Sequence, residues 1–152
     1  MSFALEIVIQ APIDIVFDYV NNDEKIKEWN TFIVENRYAS NVDKKNPRVG
    51  DKCISVQKIG KKIFEVEVEL LEYDAPYIVS VGGEMKQGYS TTTYILEEDE
   101  EGTVLTLISE YEPRNLFYNI VYKLTGWMSR GLYMQEIERL AECVETAYYK
   151  EK

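Results

Sequence analysis

From Phe3 to Gln10 the residues alternate between two faces, Phe3, Leu5, Ile7 and Ile9 on one and Ala4, Glu6, Val8 and Gln10 on the other. A period of two in a stretch rich in β-formers predicts a strand. Ala11-Pro12 ends it, and Pro12 suits the first turn of a helix. Ile13, Val16, Phe17 and Val20 recur at helical spacing, Asn21-Asn22-Asp23 interrupts them, and Ile26 and Trp29 continue on a second short helix. Thr31 to Ala39 reads as a strand, and the polar stretch Ser40 to Gly50, with its Pro47, as a loop. Lys52 to Ile59 and Ile63 to Tyr73 form a hairpin about Gly60-Lys61-Lys62. In its second arm Phe64, Val66, Val68 and Leu70 face one way and Glu65, Glu67 and Glu69 the other, the mark of a sheet covered on one side only. Three further strands are predicted at Tyr77 to Glu84, Gly88 to Glu97 and Thr103 to Glu112.

After Pro113 nothing reads as strand, and Asn115 to about Tyr149 reads as one helix. At about 100° per residue, Leu116, Phe117, Ile120, Val121, Leu124, Trp127, Met128 and Leu132 cluster on one broad arc. Asn115, Asn119, Lys123 and Arg130 form a narrow polar stripe opposite. In the second half Ile137, Leu140, Ala141, Val144 and Tyr148 make the apolar face, at nearly the azimuth of the earlier polar stripe. A straight helix on one core cannot bury both arcs, and Gly126 and Gly131 sit at the changeover. This predicts a kink, bulge or break between Gly126 and Tyr133. If the helix bends, both arcs face inward and Lys123 and Arg130 are solvated. If it stays straight, Lys123 and Arg130 point to the interior, and Phe117, Val121, Leu124 and Met128 form an outer patch suited to a membrane or a second subunit.

The order β-α-α-β-β-β-β-β-β-α, with short turns between consecutive strands, gives an α+β class with a seven-stranded antiparallel sheet. A chain of 152 residues is expected to be one domain, 1–152. Gly82-Gly83 and Gly88 make no dinucleotide fingerprint, because no helix follows them.

Charge and composition narrow the function. The net charge of −10 disfavours nucleic acid and broad adsorption to anionic lipid. The absence of histidine removes the usual Ser/His/Asp and Cys/His chemistry and the commonest transition-metal ligand. The acidic run Glu97 to Glu101 lacks the spacing and central Gly of a calcium loop and reads as a solvated hairpin tip. Cys53 and Cys143 are expected to be free thiols. No metal or cofactor is expected. No signal peptide or membrane span is read, so the expected compartment is the cytoplasm, with no stable membrane insertion.

The chain resembles the START-like, birch-pollen-allergen-like superfamily, in its bacterial polyketide cyclase/dehydrase and lipid-transport branch. The resemblance is carried by Ala11-Pro12, Val16-Phe17 and Trp29, by Gly50 before a strand, and by Ala75-Pro76 between strands. Gly102-Thr103 leading to Glu110-Tyr111, and Leu140 with Val144-Glu145, complete it. It implies a helix-grip fold, a sheet wrapped around the long C-terminal helix with an apolar cavity between. The superfamily has no universal catalytic motif, so no catalytic residue is carried over.

The candidate cavity residues combine that expectation with the pattern. Phe64, Val66 and Val68 come from the inward face of their strand, and Tyr38, Tyr77, Tyr94 and Tyr111 bring one hydroxyl each to a mixed wall. Trp29 comes from the second helix; Trp127, Met128, Arg130 and Met134 come from the terminal one. Each tyrosine is equally at home as an ordinary sheet residue. Glu84 and Glu110 would be acid–base candidates if buried, and ordinary surface groups if wet. Three readings stay open: a carrier for a small hydrophobic ligand, a cofactor-free cyclase or dehydratase using Tyr and Glu, and a protein-interaction module resembling the co-chaperone branch. Homodimerisation through the outer patch is a milder form of the third.

Overall fold

The computed structural model describes residues 1–150; Glu151 and Lys152, the last two positions of the expected 1–152 domain, lie outside the described residues. The elements run β1 (Ser2–Ile9), α1 (Ile13–Asn21), α2 (Asp23–Trp29), β2 (Ile33–Tyr38), β3 (Lys52–Ile59), β4 (Lys62–Asp74), β5 (Ile78–Met85), β6 (Gly88–Asp99), β7 (Gly102–Pro113) and α3 (Leu116–Lys150). The strands form one antiparallel seven-stranded sheet in the order β1-β7-β6-β5-β4-β3-β2. Every neighbour except β1–β7 is a sequence neighbour, joined by short turns from β3 to β7 and by the longer loop 39–51 between β2 and β3. This is the α+β helix-grip arrangement that the alternation and the resemblance imply.

The two faces separate as β4 predicts. On the outer face Arg37 pairs with Glu65 and, at 3.2 Å, with Glu35, while Lys52 lies 3.7 Å from Glu67 and 3.8 Å from Glu69. These exposed pairs contribute little each; they keep that face wet. The inner face supplies Leu5, Leu96, Leu105 and Leu107 to a core closed by Val16 and Phe17 of α1, Trp29 of α2, and Ile137, Leu140 and Val144 of α3. Trp29 Nε1 donates to the Tyr19 carbonyl at 2.8 Å, fixing α2 against α1. The turn into β7 needs glycine. Gly102 has φ +143°, and a Cβ there would collide with the Ile9 carbonyl. The next residue, Thr103, donates its hydroxyl to the Ala11 carbonyl at 2.8 Å, tying the hairpin to the β1–α1 junction.

The terminal helix is continuous α from Leu116 to Lys150, so the predicted bulge or break between Gly126 and Tyr133 is absent. It lies along β1 and β7. Tyr122 stacks on Tyr111 at 5.1 Å, Tyr133 meets Phe3 at 5.7 Å, and Glu145 Oε2 accepts from the Gln10 amide at 2.8 Å. The side facing the sheet is therefore Asn119, Tyr122, Gly126, Ser129 and Tyr133 in the first half and Ile137, Leu140 and Val144 in the second. Those positions follow a single 3.6-residue period. The helix keeps one inward face throughout; only the chemistry of that face changes. The apolar arc of the first half points to solvent, with Leu116 and Trp127 each 74% and Leu124 70% exposed.

Lys123 and Arg130 do not point to the interior as a straight helix was expected to place them. Both are exposed, and Arg130 Nη1 reaches the Ala4 carbonyl at 3.3 Å on the edge strand. The straight-helix expectation holds for the exposed patch of Phe117, Val121, Leu124 and Met128 and fails only for the two cations, because the inward line runs through Asn119, Tyr122, Gly126, Ser129 and Tyr133 and leaves Lys123 and Arg130 on its flank.

Candidate functional site: a cavity beside the terminal helix

Because α3 lies over β1 and β7, the concave face of the remaining strands is left to other covers. A cavity of about 690 Å³ lies there. Its floor is built by cross-strand neighbours. Tyr38 of β2 pairs with Cys53 of β3, which pairs with Val68 of β4. Further along, Leu70 pairs with Val81 and Val81 with Thr92, and Val79 pairs with Tyr94. Val20, Ile26 and Trp29 of α1 and α2 form one wall, and the loop between β2 and β3 forms another through Val42, Lys44 and Pro47. From α3 only Tyr133 reaches it.

Of the candidate residues, the fold brings together Trp29, Tyr38, Val68 and Tyr94 on this cavity. Phe64 and Val66 share the inward face of β4 but lie further along the strand, outside the lining. Tyr77 is exposed in the turn before β5. Tyr111 stacks on Tyr122 and donates to the Gln87 carbonyl at 2.8 Å. Trp127 and Met128 are on the outward side of α3 and Arg130 is on its flank, while Met134 packs against the core. Glu84 and Glu110 are exposed, Glu84 pairing with Arg114 at 2.8 Å.

The cavity wall is mainly apolar, with polar side chains from Ser55, Gln57 and Thr92 on its floor and two groupings that stand out. At the β2 end, Asp23 Oδ1 accepts from Asn36 Nδ2 at 3.0 Å and from the Tyr38 hydroxyl at 3.1 Å. Lys44 Nζ stands 3.8 Å from Asp23 Oδ2 and 4.5 Å from the centre of the Tyr38 ring. Burial, then the Asp23 charge, pushes the Tyr38 phenol well above its ordinary range. The same two causes push the Cys53 thiol up to about 11. Deeper in, burial and then the neighbouring Tyr133 and Glu136 raise the Tyr94 phenol. All three groups are protonated at neutral pH and act as neutral donors rather than bases. Among the described residues the Tyr94 hydroxyl has no hydrogen-bond partner within the protein, and Tyr94 lines the cavity.

Asp23, Asn36, Cys53 and Tyr133 were not foreseen as lining. Cys53 and Asn36 could have been found by registering β3 and β2 against Val68; Asp23 and Tyr133 arrive through tertiary packing. Among the described residues no cluster of histidine, cysteine and carboxylate side chains converges to hold a metal ion.

Residues 1–145 match the family model for polyketide cyclase / dehydrase and lipid transport. The chain belongs to that family. No curated protein matches the chain. Among solved structures, protein NE0264 from Nitrosomonas europaea superposes with a TM-score of 0.75 at 16% identity, over 97% of this chain and 96% of its own. TTHA0849 from Thermus thermophilus gives 0.74 at 17%, over 97% and 99%. StfQ, a di-domain ARO/CYC from the steffimycin biosynthetic pathway, gives 0.75 at 9%, over 96% of this chain and 51% of its own. At such identities the likeness is one of fold. The family supplies the frame, and the side chains of this member fill the cavity in their own way.

Proposed function

We propose that the protein binds a small, largely hydrophobic molecule, lipid- or polyketide-like, in the cavity between α2, the β2–β3 loop and the concave face of β2 to β6. The observation that carries this reading is the unpaired Tyr94 hydroxyl on the wall of the cavity. A buried phenol without a partner is costly in a sealed core, whereas a ligand oxygen would satisfy it. About 690 Å³ falls within the ordinary size range of ligand pockets. The polar cluster at Asp23 lies at the other end, where a polar head would sit. With Tyr38, Cys53 and Tyr94 neutral, none of the three is poised as a general base at neutral pH, and each is available as a hydrogen-bond donor to a ligand.

The test is denaturing mass spectrometry of natively purified protein, followed by titration of the extracted compound or of a fluorescent fatty acid. Saturable binding that is weakened about tenfold by Val81→Trp, which fills the cavity, is the expected result. Binding indifferent to Val81→Trp and to Tyr94→Phe would place the ligand elsewhere.

A further inference from the structure

The outward arc of α3 lies apart from the cavity. Leu116, Phe117, Ile120, Val121, Leu124, Trp127, Met128 and Leu132 all point to solvent along about 24 Å of helix. Soluble monomers seldom leave a contiguous apolar face of this extent uncovered. The charges around it are one-sided. In a chain of net charge −10, the stretch from Pro113 to Gln135 contains Arg114, Lys123 and Arg130 and no Asp or Glu. Arg114 is paired with Glu84. Lys123 and Arg130 are exposed, form no ion pair among the described residues, and share one flank of the arc. Past Leu132 the outward side turns acidic at Glu138 and Glu142.

That boundary selects the occupant. In a second copy seated helix on helix with the apolar arcs matched, an antiparallel pair sets the cation flanks together and a parallel pair sets each beside the uncharged flank of the other, so neither supplies an acidic partner. Sliding one helix to bring Glu138 and Glu142 beside Lys123 and Arg130 would take the arcs out of register. An anionic bilayer satisfies both features at once, taking the Trp, Phe and Leu side chains into its interface and the two cations at its headgroups. No helix among the described residues is long and apolar enough to cross a membrane, so the contact lies in the surface plane.

We propose that the outward face of α3 from Leu116 to Leu132 docks reversibly on an anionic phospholipid bilayer surface. The inference is independent of what the cavity holds. Because the rest of the chain is acidic, the contact is local and salt-sensitive.

Flotation with vesicles of phosphatidylcholine alone and of phosphatidylcholine with 30% phosphatidylserine tests it, at roughly 0.1 M salt. The full chain is expected to float with the anionic vesicles and at least fivefold less with the neutral ones. Trp127 fluorescence shifts to the blue on binding, and the shift disappears in Trp127→Phe. Leu124→Glu with Trp127→Glu lowers partitioning at least tenfold, and Lys123→Gln with Arg130→Gln several-fold. All these side chains are exposed, and circular dichroism confirms that the variants fold. Equal binding to both vesicle types, no binding to either, or unchanged binding in the Leu124/Trp127 variant overturns the proposal. So does a stable dimer in sedimentation that Leu124→Glu dissociates, which would give the face to a second copy.

Discussion

Tyr94 and Trp29 meet in a T-shaped contact, with ring centroids 6.5 Å apart and 84° between the planes. The indole anchors α2 by its bond to the Tyr19 carbonyl and meets the sheet through the Tyr94 ring. The phenol keeps its ring in that contact and its hydroxyl at the cavity. One aromatic pair therefore joins the core of this family member to its open space, and the two halves can be separated by substitution.

Tyr94→Phe keeps the ring contact and removes only a hydroxyl that has no protein partner. Thermal unfolding of the empty protein is expected to be unchanged or slightly raised, since deleting an unpaired polar group from a buried site costs nothing and can help. Affinity for an oxygen-bearing ligand drops by about 1–1.5 kcal/mol, the net worth of one hydrogen bond. Calorimetry on the variant and the parent checks both halves. A fall in stability equal to the fall in affinity would mean that the hydroxyl serves the fold.

Trp29→Ala acts on the other half. The side chain is only 2% exposed and closes the core between α1, α2 and β6. Its loss removes a large buried surface and leaves the Tyr19 carbonyl without its donor, so destabilisation of about 3–5 kcal/mol is expected. Urea unfolding gives the value directly. A loss under about 1 kcal/mol would show that α2 does not depend on this anchor.

Glu136 offers a sharper test of how the helices meet. It is 4% exposed and accepts from the Thr31 amide and from Arg139 Nη2, each at 3.3 Å, and from the Thr31 hydroxyl. Arg139 Nε also reaches the Trp29 carbonyl at 3.1 Å. Glu136→Ala strips three donors of their acceptor, but Arg139 retains water access. The expected cost is about 1–3 kcal/mol, with Glu136→Gln losing less because its amide oxygen still accepts. Chemical denaturation of the two variants, side by side, separates the charge from the hydrogen bonds.

These residues also show where the sequence is legible and where it is not. The sheet could be read because β4 alternates Phe64, Val66 and Val68 with Glu65, Glu67 and Glu69, and each one-sided strand states its own inward face. The extent of α3 was equally plain. Its inward face was not, because Asn119, Tyr122, Gly126 and Ser129 look like the polar side of an amphipathic helix and are in fact the side laid against β1 and β7. With one inward face kept throughout, the changeover of apolar arcs at Gly126 and Gly131 needs no bulge or break in the helix. The cavity's place depends on which strands α3 covers, a long-range outcome that no local period encodes. Glu136 was hidden among the inward Ile137 and Leu140, where its position on the helix was visible but its partner Thr31, far away in the chain, was not.

The protonated groups of the cavity set the response of the fold to alkali. Burial raises the folded-state pKa of Cys53 from 9.0 to about 11, and Tyr38 and Tyr94 are raised above their ordinary value of 10.0. In the unfolded chain all three ionise normally. The preference of the fold for their neutral forms is thus fully present below the unfolded pKa values, and is lost as pH rises past 9 and on through the folded ones. Stability is expected to be level across neutral pH and to fall between pH 9.0 and about 11, the window set by Cys53. Cys53→Ser removes the thiol from that balance and flattens the first part of the decline, while Tyr94→Phe flattens the part above pH 10.0, where the unfolded phenol ionises. Urea midpoints at stepped pH for the parent and the two variants check the assignment. A decline beginning below about pH 8, or one that neither substitution alters, would place its origin in other groups, because a free thiol and a free phenol contribute little there.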